Sequence, residues 1–222
     1  MASQPDINQL IQKTRRYEFS DGLRDIQFAI LLGFGGVGAW LAFEPFWLTI
    51  IMKAAKTYGR WAAWIGMLPT ILVILAVWGM LWLMKYIRQR WLWRESGIVK
   101  SSQWIVSRKV NLISFIIILA GLAIGVGLWF LHWVDQVFIL RMLWTATGWS
   151  FGYTLVSVGR NIGLPRYVWL GWAGGLLSTS VLILPLTFGQ SALVFGSIWF
   201  VMLMTSGIMT LRSAFQAAKS GD

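Results

Sequence analysis

Long apolar stretches fill this chain, and its charges fall between them, at residues 13–25, 53–60, 85–109 and 160–166. A helix that crosses a bilayer needs roughly 20 consecutive apolar residues, and a soluble core cannot hide several such runs. The pattern predicts six spans, at about residues 23–43, 61–84, 110–133, 137–158, 167–187 and 192–211. The expected fold class is an all-α, polytopic transmembrane helical bundle. Pro69 falls inside the second span and predicts a kink. Residues 46–58 are apolar first and then carry Lys53 and Lys56, so they read as an interfacial connector or as an extension of span 2. Short turns at residues 134–136 and 188–190 predict that spans 3 and 4, and spans 5 and 6, form antiparallel hairpins.

Three regions frame the spans. Residues 1–20 are expected to be a cytoplasmic leader. Its Ser3-Gln4-Pro5-Asp6 has capping-box spacing, and Ile7, Leu10, Ile11 and Thr14 share one helical face beside Lys13, Arg15 and Arg16. Such a segment lies on a membrane surface or packs on cytoplasmic loops. The membrane domain covers 21–212 and includes a basic loop at 85–109, and 213–222 is a short tail. Ser20 or Asp21 is the expected cap of span 1. The first apolar run follows a charged leader and lacks a small-x-small cleavage site, so it reads as a retained span and not a signal peptide.

Composition agrees with the pattern. Hydrophobic residues make up 57% of the chain and charged residues 12%, against roughly 25% charged in a soluble domain. The net charge of +11 could suggest nucleic acid, but its placement has a simpler reading. With the N-terminus cytoplasmic, fifteen Lys and Arg face inside and three, Lys53, Lys56 and Arg60, face outside. That asymmetry is the positive-inside signature, and an even span number puts both termini on the cytoplasmic side. Several of the 16 Trp fall at the expected boundaries: Trp40, Trp47, Trp61, Trp64, Trp129 and Trp133 outside, and Trp82, Trp91, Trp93, Trp104 and Trp169 inside. The absence of cysteine removes disulfides and thiolate chemistry.

No catalytic set emerges, so the expectation is a non-enzymatic protein with no cofactor and no metal. The one histidine, His132, sits at an outer span end between Trp129 and Trp133. No acid falls at mid-membrane, which counts against a proton pump. No phosphate-binding loop is present.

Four features remain as candidates. Arg141 lies about one turn inside span 4, where an Arg is costly unless paired, hydrated or snorkelling. It reads as a ligand contact or as a structural Arg paired with Asp135 or Glu44. The deep Trp144, Trp149 and Trp199 line a site or simply pack. Gly121 and Gly125, Gly148 and Gly152, and Gly171 and Gly175 form three small-residue faces that allow close helix approach. The basic, aromatic loop from Arg88 to Lys109 suits anionic lipid headgroups better than nucleic acid. A weak internal repeat aligns Ile26, Phe28, Ile30, Leu32, Gly38, Leu41 and Phe43 with residues 87 positions later.

Two segments also resemble a known group. Tyr17-Glu18-Phe19-Ser20-Asp21-Gly22-Leu23 leads into span 1, and Arg90-Trp91-Leu92-Trp93-Arg94-Glu95-Ser96-Gly97-Ile98-Val99 follows span 2. The pair resembles a family of uncharacterised bacterial multi-pass membrane proteins with a Tyr-x-x-x-Asp-Gly-Leu lead-in and a basic Arg-x-Gly-x-Val segment, here one residue longer between Arg94 and Gly97. The resemblance implies a bacterial inner-membrane protein and carries no activity with it. Asp21 or Asp25 is expected to pair with Arg90 or Arg94 and pin the leader to the loop.

The sequence thus predicts a structural or accessory subunit of a homo- or hetero-oligomeric membrane assembly, with lipid partners that are anionic at the cytoplasmic face. The alternative is a small-solute channel, permease or substrate-binding membrane component. A permease should gather polar residues of several spans around one cavity at mid-depth, whereas a scaffold should have a dry interior and broad apolar outer faces.

Overall fold

The computed structural model of the chain describes Phe19, residues 22–87 and residues 106–220, with side chains as far as 216. The expected leader helix, most of the basic loop, and Asp21, Arg90 and Arg94 lie outside the described residues.

The described residues are helical and contain no strand. The helices are α1 (Leu23–Phe43), α2 (Pro45–Tyr58), α3 (Ala62–Ile87), α4 (Arg108–Phe130), α5 (Gln136–Ile162), α6 (Pro165–Ser178), the one-turn α7 (Ser180–Ile183) and α8 (Phe188–Ser220). Four stretches are long and apolar enough to cross a membrane: Leu23–Phe43, Pro45–Ile87, Arg108–Phe130 and Phe188–Gln216. The chain is a membrane-embedded helical protein.

The connector after span 1 is a helix of its own. Glu44 breaks α1 in extended conformation, Pro45 starts α2 at a position that needs no N–H, and Gly59 ends it with φ of 56°. A single 3-10 turn, Gly59–Trp61, then reverses the chain, and Ile51 of α2 lies against Gly66 of α3.

Helix starts follow local hydrogen bonding. Ser107 accepts from Val110 N at 3.3 Å and Asp135 from Phe138 N at 2.9 Å, capping α4 and α5. Thr187 and Gln190 form a reciprocal capping box: Gln190 N donates to Thr187 Oγ1 at 3.2 Å, and Thr187 N donates to Gln190 Oε1 at 3.1 Å. Residues 188–190, expected as a turn, are therefore the first turn of α8, and α8 runs on past 211 to Ser220. Ser20 and Asp21, the expected caps of span 1, lie outside the described residues. Gly22 stands at the N-cap of α1 in left-handed conformation, φ 74°.

Span 5 departs from expectation more strongly. It was expected as one helix over 167–187, but α6 ends at Ser178, α7 adds one turn, and residues 184–187 are non-helical. Hydroxyls turn back on the backbone at the break: Ser178 Oγ donates to Gly174 O at 2.7 Å, and Ser180 Oγ to Leu177 O at 2.7 Å. Pro185 then removes a donor and restricts Leu184 before it.

Every principal packing pair is antiparallel. Gly121 and Gly125 of α4 meet Ala146 and Met142 of α5, as the expected hairpin of spans 3 and 4 requires. Gly152 of α5 crosses Gly171 of α6, and Gly36 of α1 meets Gly196 of α8. The second expected hairpin is weaker than anticipated. The extended 184–187 segment lets α8 swing onto α1, its main neighbour, and α6 rests chiefly on α5. The repeat-related Gly38 and Gly125 each face the next long helix, through Val73 of α3 and Met142 of α5.

One core cluster joins five helices, with Val181 contributed by α7. It includes Ala29 of α1, Leu155 and Val158 of α5, Tyr167 of α6, and Phe195, Trp199 and Leu203 of α8. Helix α5 is the central element, touching α4, α6, α7 and α8. That position explains its polar content of Thr145, Thr147, Ser150 and Thr154. A helix walled by other helices has less need of apolar surface than one facing lipid.

The antiparallel packing gathers the starts of α1, α4 and α6 with the ends of α3, α5 and α8. Arg24, Lys85, Arg108, Lys109, Arg160, Arg166 and Arg212 all lie at this end. Asp25 is the one acid that the described residues place there.

Candidate functional site: a buried carboxylate at the charged end

Asp25 is fully buried in the first turn of α1. Its position follows from two glycines. A side chain at Gly22 would overlap the backbone carbonyl of Gly207, and one at Gly207 would overlap Ile26 and Gly22. Both positions must be bare for α1 and α8 to cross this closely. The crossing sets Asp25 beside Ser206, whose Oγ donates to Asp25 Oδ2 at 2.9 Å.

The third side of the site comes from α6. Pro165 opens that helix and Arg166 and Tyr167 follow in its first turn. Tyr167, also fully buried, donates its hydroxyl proton to Asp25 Oδ1. Arg166 Nη2 lies 3.6 Å from Asp25 Oδ2 and also donates to Phe19 O and, at 3.3 Å, to Tyr167 Oη. Its Nη1 donates to Thr210 Oγ1, and its Cζ sits 4.9 Å from the centre of the Tyr167 ring. Phe19 closes the cluster, edge-on to Tyr167 at 5.6 Å.

The electrostatics suit a locked junction. Asp25 occupies the positive end of α1, where the helix dipole favours an anion. Arg166 occupies the same kind of end on α6, where the dipole disfavours a cation, so the Asp25 charge offsets that cost. Arg166 Nε is buried and finds no acceptor among the described residues. The carboxylate on α1 is engaged from α6 and α8, which leaves it holding the three helices together instead of presenting an open reactive group.

The other candidates are placed as follows. Arg141 is half-buried and donates Nε to Leu186 O at 2.9 Å, serving a carbonyl of the non-helical stretch before α8. The acids expected beside it are otherwise used: Asp135 caps α5, and Glu44 accepts from Trp40 Nε1 at 2.7 Å. Trp144 packs its ring on Phe188 and Phe195, with centroids 5.6 and 5.3 Å away, and its Nε1 has no acceptor among the described residues. Trp149 donates to Thr179 Oγ1 at 3.2 Å and lies against Gly175. Trp199 is fully buried over Gly174 and donates to Ser178 Oγ at 3.1 Å.

The three glycine pairs all serve contacts within the chain. Gly121 and Gly125 seat α5 against α4, Gly148 takes the Ser178 side chain, and Gly152 and Gly171 cross each other. An apolar cleft of about 120 Å³ lies beside this crossing, lined by Ile117, Trp149, Gly152, Tyr153, Val156, Gly171 and Trp172.

Asp25 was singled out from the sequence, but its described ion-pair partner is Arg166. The expected Arg90 and Arg94 lie outside the described residues. Arg166 and Tyr167 were missed because they sit more than 140 positions away, at the start of another span, where an Arg reads as an ordinary interfacial charge. The available signal was the Gly-Leu-Pro-Arg-Tyr run, a helix start that puts a cation where the dipole opposes it. Comparison with protein-family models, with curated proteins and with solved structures finds no match for this chain.

Proposed function

We propose that this chain is a non-catalytic integral membrane protein that works as a structural or accessory subunit of a membrane assembly. One observation carries the reading: its polar groups are used on each other inside a closely packed interior, while its outer helices are left bare. Ser114 bonds Thr154 at 2.9 Å, Thr145 bonds Ser178 O at 3.2 Å, and the Asp25 cluster is tied internally. By contrast, α3 buries only Ala62, Pro69 and Met84, and exposes Leu72, Ile74, Leu75, Trp78, Leu81 and Trp82. Helix α4 is similarly open through Leu112, Phe115, Ile116, Leu119 and Ile124. A channel or permease would gather polar side chains around a mid-depth cavity, and the cleft beside Gly152 and Gly171 has mostly apolar walls. That favours the subunit over the permease. The glycine faces lend the subunit reading no support, since they are used within the chain.

The finer topology belongs to the same proposal. Beyond the four apolar stretches, α5 and the broken α6–α7 segment supply two further crossings. With 27 residues, α5 is about 40 Å long and exceeds the bilayer core of about 30 Å. The charged end is the cytoplasmic one by the positive-inside rule, which places both termini there. The resemblance of the first-span lead-in supports a bacterial inner membrane, and the basic end supports anionic lipid neighbours.

The test is site-specific photocrosslinking in native membranes. A photoreactive residue at Leu72, Ile74 or Trp78 should give one discrete protein product, either a partner or a second copy. The same residue at fully buried Leu203 should give none. Only lipid adducts at every exposed position of α3 and α4 would remove the subunit reading.

A further inference from the structure

Helix α2 has 14 residues, about 21 Å of helix. That falls short of the roughly 30 Å hydrocarbon core of a bilayer, so α2 cannot cross alone. It lies at the end of the bundle opposite Asp25, between the end of α1 and the start of α3. Of its residues only Ala54 is buried, Trp47 and Ile51 are half-buried, and Ile51 meets Gly66 about one turn into α3. Trp47, Ile51 and Ala54 follow i, i+4, i+7 spacing, so they share the face that rests on the bundle.

The opposite face carries the charge. Thr49, Lys53 and Lys56 repeat the same spacing two positions on, about 200° around the helix, and all three are exposed. Large apolar side chains stand exposed on both shoulders between these faces, Leu48 and Met52 on one side and Phe46 and Ile50 on the other. This arrangement suits neither bulk phase. In hydrocarbon, Lys53 and Lys56 would point away from the protein into acyl chains, where a cation is costly. In water, the four apolar side chains would be bare. A boundary between the two phases satisfies every face. The residues that follow make the same demand: Tyr58, Trp61 and Trp64 are 60–65% exposed, and such amphipathic rings favour the headgroup layer. Helix α3, by contrast, carries no charge from Ala62 to Met84.

We propose that α2 is an interfacial helix whose partner is the lipid surface. It lies on the bilayer at the end opposite Asp25, with Phe46, Leu48, Ile50 and Met52 in the headgroup–acyl boundary and Lys53 and Lys56 among the lipid phosphates. A helix with apolar flanks and a basic ridge binds such a surface by buried apolar area and by attraction to phosphate. Of the apolar stretch Pro45–Ile87, α3 alone then crosses. The inference rests on membrane embedding and not on the subunit reading.

The test is a nitroxide scan of the full chain, which has no cysteine of its own, in vesicles of phosphatidylcholine and phosphatidylglycerol. Single cysteines replace Phe46, Leu48, Thr49, Ile50, Met52, Lys53 and Lys56 in turn. All seven positions are exposed, so the labels leave the packed face intact. Collision with oxygen, which concentrates in the acyl region, is compared with collision with a water-soluble nickel chelate. The nickel-to-oxygen ratio should rise and fall with the helical period. It should peak at positions 49, 53 and 56 and reach its minima at 48, 52, 46 and 50. Oxygen dominating at all seven positions would sink α2 into the hydrocarbon as part of a spanning hairpin and overturn the proposal. Nickel dominating at all seven would lift it into water, and low collision with both reagents throughout would put a second copy over it; either result overturns the proposal as well.

Discussion

Among the described residues, Tyr167, Ser206 and Arg166 meet the carboxylate of Asp25, and each has its own cost of removal. Asp25→Asn keeps the shape of the acid and removes its charge, leaving Arg166 half-buried and unpaired. Breaking a buried pair from one side costs about 3–5 kcal/mol, and the 24% exposure of Arg166 moves the expected loss to the lower part of that range. A large drop in the detergent melting temperature should follow. Tyr167→Phe should cost about 1–3 kcal/mol, the penalty for a buried acceptor that loses its donor. The double variant Asp25→Asn with Arg166→Gln should lose less than the sum of its two single changes, because each single change strands the other group. Full additivity would mean that the two side chains do not interact. Arg141→Leu removes a charged donor from Leu186 O and should cost about 1.5–3 kcal/mol. A melting temperature unchanged by that substitution would take away its structural role.

The helices themselves were largely legible, because runs of apolar residues between charge clusters mark spans directly. Helix α1 matches its expected bounds at both ends, and α3, α4 and α5 differ from theirs by at most four residues at either end. What was not legible depended on local polar bonding inside an apolar run. The Thr187–Gln190 capping box and the hydroxyl-rich break at Ser178 to Ser180 both interrupt sequence that hydropathy treats as uniform. Thr187→Ala should shorten α8 at its start and cost about 0.5–2 kcal/mol. The glycines give a sharper contrast. Gly148→Leu and Gly171→Leu would drive a side chain into Ser178 and into the Gly152 backbone, whereas a side chain at Gly127 or Gly35 meets nothing within 4 Å. Size-exclusion profiles should therefore collapse for the first two variants and remain sharp for Gly127→Leu and Gly35→Leu. A sharp profile for Gly148→Leu would contradict the observed α5–α6 packing. Of the candidate site, only Asp25 was visible from sequence. Its partners come from helices that the chain order keeps far apart, and no periodicity encodes that meeting.

At the scale of the molecule, the packing concentrates basic side chains at one end and gives a direct topology test. The absence of cysteine makes the native chain a ready background for single-cysteine labelling. Cysteines replacing Lys53, Arg60 and Asp135 should react with an impermeant reagent from one side of the membrane. Those replacing Lys85, Arg160 and Arg212 should react only from the other. Labelling of positions 135 and 160 from the same side would mean that α5 does not cross, and the span number would have to fall. The subunit proposal is tested most directly by native mass spectrometry of the tagged chain, extracted gently from its own membranes at native expression. We predict a stoichiometric complex, with a partner protein or with further copies of this chain, together with retained anionic lipid. A lone monomer that persists across mild detergents would contradict the subunit proposal, because the bare faces of α3 and α4 would then have only lipid to meet.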